Sequence, residues 1–448
     1  GYRTGHAVVC AGFNLISMYK KLLSSSALVL LIGLAVSALG FVKEMLVAYH
    51  FGVSSQIDVF YLALSVPLYL VSLYGSSINA TIMPAYLQAK AEQAQALFFS
   101  EMMGLNLLFL VLLSGVCVAY SALLQPFFLH ATPEKNQQII TIGLLLAPMI
   151  VVQGLTSYFD SILNAEKRSL INNLFSLFIP LGTIVLLSIQ QIPAALLLTC
   201  GWYLGFGLRL AGQYLTLRRQ IAFQWQRPRS ALFYKHRPLI QDFFWIVFSS
   251  AILGLLPVIS NYLAGYLGDG QVASLNYATK LVSMGLMLVG IIINSVLFPH
   301  IAEQIVKDSA HGIREGLKLA ALSFVVFSLL LLPLYFFVEP IVALVFERGR
   351  FSAESTVQVA YILKYLLLYI PFYVPCVLLS RLVVSLRISR IFVLGNLISL
   401  VLFFLSGAYW IVYLGKGIES LGWALMLVYL VSAVYLLTHI VLYRKRPQ

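Results

Sequence analysis

An all-α polytopic membrane protein is what this sequence predicts: about twelve transmembrane helices in two six-helix lobes, with both termini cytoplasmic. Three observations carry that expectation. The composition is 60% hydrophobic and only 10% charged, with a mean hydropathy of +0.92, where a soluble domain carries about 45–50% apolar and roughly 25% charged residues. Apolar runs of the ~20 residues needed to cross a bilayer recur along all 448 positions. Lys and Arg are shared unevenly between alternate loops. Together these exclude a soluble enzyme, a disordered chain and a secreted disulfide scaffold. A β-barrel is excluded too, because its strands alternate and never give long unbroken apolar runs.

The spans follow in order, and the cations between them mark their ends. The first, 22–48, opens after Lys20-Lys21. The second, 57–86, begins at Asp58, where an acid suits the positive end of the helix dipole, and stops before Lys90. The third and fourth, 96–123 and 137–164, flank Lys135, and the fourth ends before Lys167-Arg168. The fifth and sixth, 169–189 and 193–217, end at Arg218-Arg219. The seventh to ninth are 239–267, 272–302 and 314–338, with Lys307 and Arg314 before the ninth. The tenth, 354–384, follows Arg348 and Arg350. The eleventh and twelfth are 388–413 and 419–443, separated by Lys416 and closed by Arg444-Lys445-Arg446. Pro67, Pro148, Pro257, Pro371 and Pro375 inside spans read as kinks or hinges, since neighbouring helices can satisfy the freed carbonyls.

With the N-terminus inside, only Lys135, Arg348, Arg350 and Lys416 fall in outer loops, and most of the 29 Lys and Arg are cytoplasmic. Topology therefore explains the net charge of +13, and no nucleic-acid partner is expected. Residues 1–17 read as a leader or appended segment ahead of Met18-Tyr19-Lys20-Lys21. The longest polar stretch, 218–237, reads as a cytoplasmic linker between an N-lobe (18–217, helices 1–6) and a C-lobe (238–448, helices 7–12). Short motifs repeat across it. Ile78-Asn79 with Pro84 matches Ile293-Asn294 with Pro299, and Asn173-Leu174-Phe175-Ser176-Leu177 matches Asn396-Leu397-Ile398-Ser399-Leu400. Such a parallel duplication implies pseudo-two-fold symmetry about an axis along the membrane normal, and transporters place their sites between halves of this kind.

Ionisable groups inside spans are costly and usually face a cavity or a partner. Lys43, Lys280 and Lys364 sit about 12–15 Å deep at 1.5 Å per residue, which fits one anion site at the lobe interface. Three independently snorkelling lysines are the plainer reading. Glu44 and Asp58 are the acids at this level. Glu44 stands about 100° around the helix from Lys43 and need not be its partner. Arg209 reads as an inner-side snorkeller, and Glu101, Asp160 and Asp242 as partners of loop cations. Cys10, Cys117, Cys200 and Cys376 are scattered packing residues, and no metal spacing, phosphate-binding Gly-Lys-Ser/Thr motif or nucleophile elbow occurs. No cofactor is expected.

Several segments resemble the MurJ/MviN family of the multidrug/oligosaccharidyl-lipid/polysaccharide exporter superfamily. They are Leu39-Gly40-Phe41-Val42-Lys43-Glu44, Phe51-Gly52, Asp58 with Phe60 and Pro67, Ser274 through Pro299 with Tyr277-Ala278 and Lys280, and Phe346-Glu347-Arg348-Gly349-Arg350-Phe351-Ser352. The resemblance implies a non-enzymatic flippase of the bacterial cytoplasmic membrane for a polyprenyl-diphosphate-linked saccharide, either lipid II for peptidoglycan or a related polysaccharide precursor. Its partners would be that undecaprenyl-diphosphate-type lipid, membrane lipids and envelope-assembly enzymes, with the chain monomeric. The family's cavity cations carry over onto Lys43 and Lys280, and its cavity acids onto Glu44 and Asp58; Lys364 has no counterpart. Departures are plain. Ser37, and the neighbourhood of Val71 and Ser72, replace arginines of the family, and lysine at 43 and 280 lacks the bidentate fork. Two further C-terminal helices of the family have no counterpart in these 448 residues. Two other classes stay open: a cation-coupled multidrug or small-molecule antiporter of the same superfamily, and a scaffold for polysaccharide assembly. The basic cavity speaks against an exporter of organic cations.

Overall fold

The computed structural model describes residues 28–29, 31–125, 132–189, 192–221, 230–293, 297–386 and 388–444. The expected leader 1–17, the start of the first span, Asn294 of the repeat and Arg227-Pro228-Arg229 of the linker lie outside these residues.

Among the described residues ten helices are long and apolar enough to cross a membrane, and two bent pairs bring the spans to twelve. The first six are α1 (Leu31–Phe51), α2 (Ser55–Ala91), α3 (Gln95–Ala119, continued by a π-turn to Leu124), the pair α4 (Pro133–Leu146) and α5 (Met149–Ala165), the pair α6 (Ser169–Ser176) and α7 (Phe178–Leu186), and α8 (Ala194–Arg218). A short α9 (Ser230–Lys235) precedes the second set. That set holds α10 (Arg237–Tyr266), α11 (Gln271–Ile292), α12 (Phe298–Lys307), α13 (Ser309–Phe346), the pair α14 (Ala353–Leu367) and α15 (Ile370–Ser385), α16 (Ser389–Ala408) and α17 (Glu419–Arg444). The ninth span is longer than its expected 314–338, because Asp308 caps it early by accepting from Ala310 and His311 N–H at 2.9 and 3.2 Å.

Proline explains the bends. A proline ring clashes with the carbonyl four residues earlier. α10 bends by 41° between Ile252 and Gly254, four residues before Pro257, and α14 meets α15 at 43° after Leu367, four before Pro371. Glycine explains a close helix–helix approach. A Cβ on Gly182 of α7 would stand 2.4 Å from the Gly205 nitrogen of α8, and one on Gly201 2.7 Å from Thr183 Cα. The α7–α8 pair is therefore locked backbone against backbone, as small residues allow between membrane helices.

The buried side chains form three clusters, and their membership sets the shape. One runs through both halves of the chain: Ile57 and Phe60 of α2, Leu197 of α8, Ala264 of α10, Tyr277 of α11 and Phe346 of α13 all belong to it. The second, built on Tyr74, Tyr86, Phe99, Tyr158 and Leu217, draws on the first half apart from Phe243 at the start of α10. The third, with Ile313, Val374, Leu382 and Ile440, lies wholly in the second half. The molecule is thus fused at one end of the bundle, where α1 meets α2 and α10 meets α11. At the other end it divides into two separate cores.

Candidate functional site: a cationic cavity between the halves

At the fused end the halves are stitched by hydrogen bonds. Tyr277 hydroxyl donates to the Gly52 carbonyl at 3.1 Å, and Arg350 N–H to the Tyr49 carbonyl at 2.8 Å. The Asp58 carboxylate, fully buried, accepts from the backbone N–H of Gly270 at 2.6 Å and of Ala273 at 2.8 Å, the first turn of α11. Lys135 at the start of α4 reaches both Asp58, at 3.3 Å, and Asp269. Asp58 therefore caps a helix in the other half of the chain, where the dipole and orphan N–H groups favour an anion. The expectation that Asp58 belongs to the substrate cavity is corrected. Both of its oxygens are engaged at the seam, and it does not line the cavity.

Below the seam lies a cavity of about 590 Å³. α1 contributes Ser37, Phe41, Lys43 and Glu44; α6 and α7 contribute Ser176 and Pro180; α8 contributes Trp202; α11 contributes Lys280, Ser283 and Met287. Its walls come from both halves and are mostly apolar. The charged groups gather at one level. Glu44, 3% exposed, accepts from Tyr61 hydroxyl at 3.0 Å through one oxygen. Its other oxygen meets Lys43 at 2.8 Å and Lys280 at 3.5 Å, distances that hold the two ammonium nitrogens within 6.3 Å of each other. The neighbour pair Lys43–Glu44 forms although the helical wheel does not require it: a four-carbon stem is long enough to fold back to the next residue's carboxylate. Two cations sharing one carboxylate leave a surplus positive charge, and Lys280, 48% exposed at its side chain, keeps donors free for a ligand.

Lys364 is elsewhere. Its ammonium lies 5.7 Å from the centre of the Tyr335 ring of α13, and it is absent from the cavity wall. Arg209 is corrected too. Rather than snorkelling to the surface, it donates to both oxygens of Asp160 at 2.8 and 2.9 Å, within a network that includes Gln213 and Asn172 behind the α6 wall. Glu101 does pair with a cation of the linker region, Lys235 at 2.7 Å, and its other oxygen lies 2.8 Å from the His236 ring nitrogen Nε2. Asp242 has no ion-pair partner among the described residues. Tyr61 and Lys135 were missed from sequence: a tyrosine in an apolar run reads as packing, and a loop lysine reads as topology.

The lipid II flippase MurJ family matches residues 47–446. The chain belongs to that family. A protein of Rhizobium meliloti (strain 1021), named probable lipid II flippase MurJ, is 26% identical over 346 residues, which is 72% of this chain and 63% of the relative. The chain thus spans under two thirds of that relative's length. Among solved structures, lipid II flippase MurJ in an inward closed conformation superposes with a TM-score of 0.75 at 20% identity, covering 92% of this chain and 87% of that one. An inward-facing multidrug resistance MATE family transporter gives 0.74 at 12% identity, covering 92% and 96%. At these identities the two likenesses establish the fold alone, a multi-pass helical bundle.

Proposed function

We propose that this chain flips a polyprenyl-diphosphate-linked saccharide, lipid II or a related cell-envelope precursor, across the bacterial cytoplasmic membrane. The observation that carries the reading is the pair of ammonium groups converging on Glu44 in the wall of a cavity between the halves. A diphosphate needs cations in a partly dry site, where charge-assisted bonds are strongest, and the apolar walls suit the lipid around it. The acids that an exporter of organic cations would use are here either neutralised or spent on the seam, which disfavours the antiporter reading. The names of the relatives point the same way. The chain acts as a transporter rather than an enzyme, and the divided end of the bundle faces the cytoplasm. Residues 18–217 and 238–443 move against each other as two lobes joined by 218–237, exposing the cavity to each side in turn.

The test is complementation of a strain depleted of its own flippase, with membrane levels of each variant measured alongside. Lys280→Ala should abolish growth at normal expression, since the half-exposed lysine contributes little to folding, and Lys43→Ala should do the same. Arginine at either site should retain part of the activity. Normal growth supported by both alanine variants would remove the diphosphate site, and failure of the parent chain to support growth at normal expression would remove the flippase reading.

A further inference from the structure

We propose a second anion site, for a lipid-borne phosphate, at the outer mouth of the seam between α1 and α7. It rests on the flippase reading for its sidedness. A separate pocket of about 180 Å³ is lined by Tyr49, His50, Phe51, Leu187, Gly349 and Arg350. Its position relative to the main cavity follows from helix geometry. His50 lies seven residues beyond Lys43 on α1, and Leu187, which follows α7, lies seven beyond Pro180. Seven residues are nearly two turns, so each pair shares a helix face about 10 Å apart. The small pocket therefore continues the same wall toward the fused end.

The pocket is built rather than accidental. The 348–351 loop of the second half is clamped on the end of α1 by its backbone, through Arg350 N–H on the Tyr49 carbonyl. Two glycines permit that approach. Gly52 (φ +57°) would bring a Cβ within 2.5 Å of the Arg350 carbonyl oxygen, and Gly349 (φ +61°) within 2.4 Å of the Tyr49 oxygen. Since the backbone does the clamping, the Arg350 side chain is left over, exposed and without an ion-pair partner among the described residues; the half-buried His50 has none either, and the exposed Arg348 donates only to the Leu344 carbonyl at 3.2 Å. The loop's own carboxylate, Glu347, is turned away, accepting from Thr356 hydroxyl at 2.8 Å. Outer loops of membrane proteins are depleted in cations, yet two of the four outer Lys and Arg expected from the sequence sit in this loop. A guanidinium beside an imidazole and an exposed tyrosine at the interface matches a phosphate or diphosphate on a lipid anchor. Two sources offer that group: the carrier lipid as it leaves the cavity, and an anionic phospholipid of the outer leaflet.

The experiment uses the whole chain in phosphatidylcholine vesicles with p-benzoylphenylalanine in place of Tyr49, and in a parallel preparation in place of Phe51. Radiolabelled undecaprenyl diphosphate or phosphatidylglycerol is supplied in both leaflets and the protein is illuminated. Arg350→Gln should lower crosslinking of at least one lipid about fivefold, and Arg350→Lys should restore part of it. Dependence confined to the diphosphate assigns the pocket to the departing carrier; dependence seen with phosphatidylglycerol assigns it to bulk lipid. Crosslinking of both lipids that is indifferent to Arg350→Gln at both reporter positions overturns the site. No transport is required, so the two readings fail separately. Indifferent crosslinking alongside a complementing parent chain removes only this pocket, whereas Arg350-dependent crosslinking alongside a parent chain that does not complement removes only the flippase reading.

Discussion

Glu44 and Asp58 are both buried carboxylates that tie the first half of the chain to α11, yet they are used in opposite ways. Asp58 is saturated: two backbone N–H groups and Lys135 hold it, and the backbone donors have no alternative acceptor once the helix end is buried. Glu44 is shared: two lysines divide one of its oxygens, and one of them stands half in the cavity. A carboxylate met by fixed donors makes a fastener. A carboxylate met by more cations than it can neutralise makes a socket, because it gathers and orients them while leaving charge over for a ligand.

The largest expected effect breaks the fastener. Asp58→Ala strands the first turn of α11 and leaves Lys135 with only Asp269, and removing one member of a buried charged cluster costs about 3–5 kcal/mol. The protein should melt well below the parent in detergent, with Asp58→Asn recovering part of the loss because the amide oxygen still accepts. A melting temperature for Asp58→Ala equal to the parent's would erase the distinction between the two carboxylates. A smaller effect probes the socket. Tyr61→Phe removes one donor from the Glu44 carboxylate and should lower stability by about 1.5–3 kcal/mol, leaving both lysines in place and complementation intact; a loss as large as that of Asp58→Ala would mean that Glu44 is a fastener as well. The smallest concerns Lys364→Met, which removes only a cation over a ring, worth about 0.5–1 kcal/mol, and should leave complementation unchanged. Growth failure at normal expression would return Lys364 to the transport path.

Much of this was legible in the sequence, and the pattern of what was not is physical. Span number and order follow from hydropathy, and the depth of Lys43 and Lys280 follows from counting residues at 1.5 Å each. Depth, however, is only one cylindrical coordinate. Lys364 lies at a matching depth but on the face of α14 turned toward α13, and azimuth depends on which helix packs where. Asp58 illustrates a second limit. Its position at the start of α2 suggested its own helix dipole, whereas it serves a helix that starts more than two hundred residues later. Arg209 and Asp160 illustrate a third, since two charges on different helices can find each other only after α5 and α8 have packed.

The cluster shared by both halves also bears on how such a chain is made. Ile57, Phe60 and Leu62 of α2 share one buried cluster with Ala264 of α10 and Tyr277 of α11, so that cluster is complete only when α10 and α11 have been synthesised and inserted. Until then the first six spans sit in the bilayer with one core that wants only Phe243 of α10 and one unfinished face, on which Asp58 lacks the α11 N–H groups that hold it in the complete molecule. Biogenesis of the molecule is therefore sequential at one end of the bundle and obligately concerted at the other, and a ribosome paused after α8 would hold a nascent chain whose most polar buried group still waits for its partner.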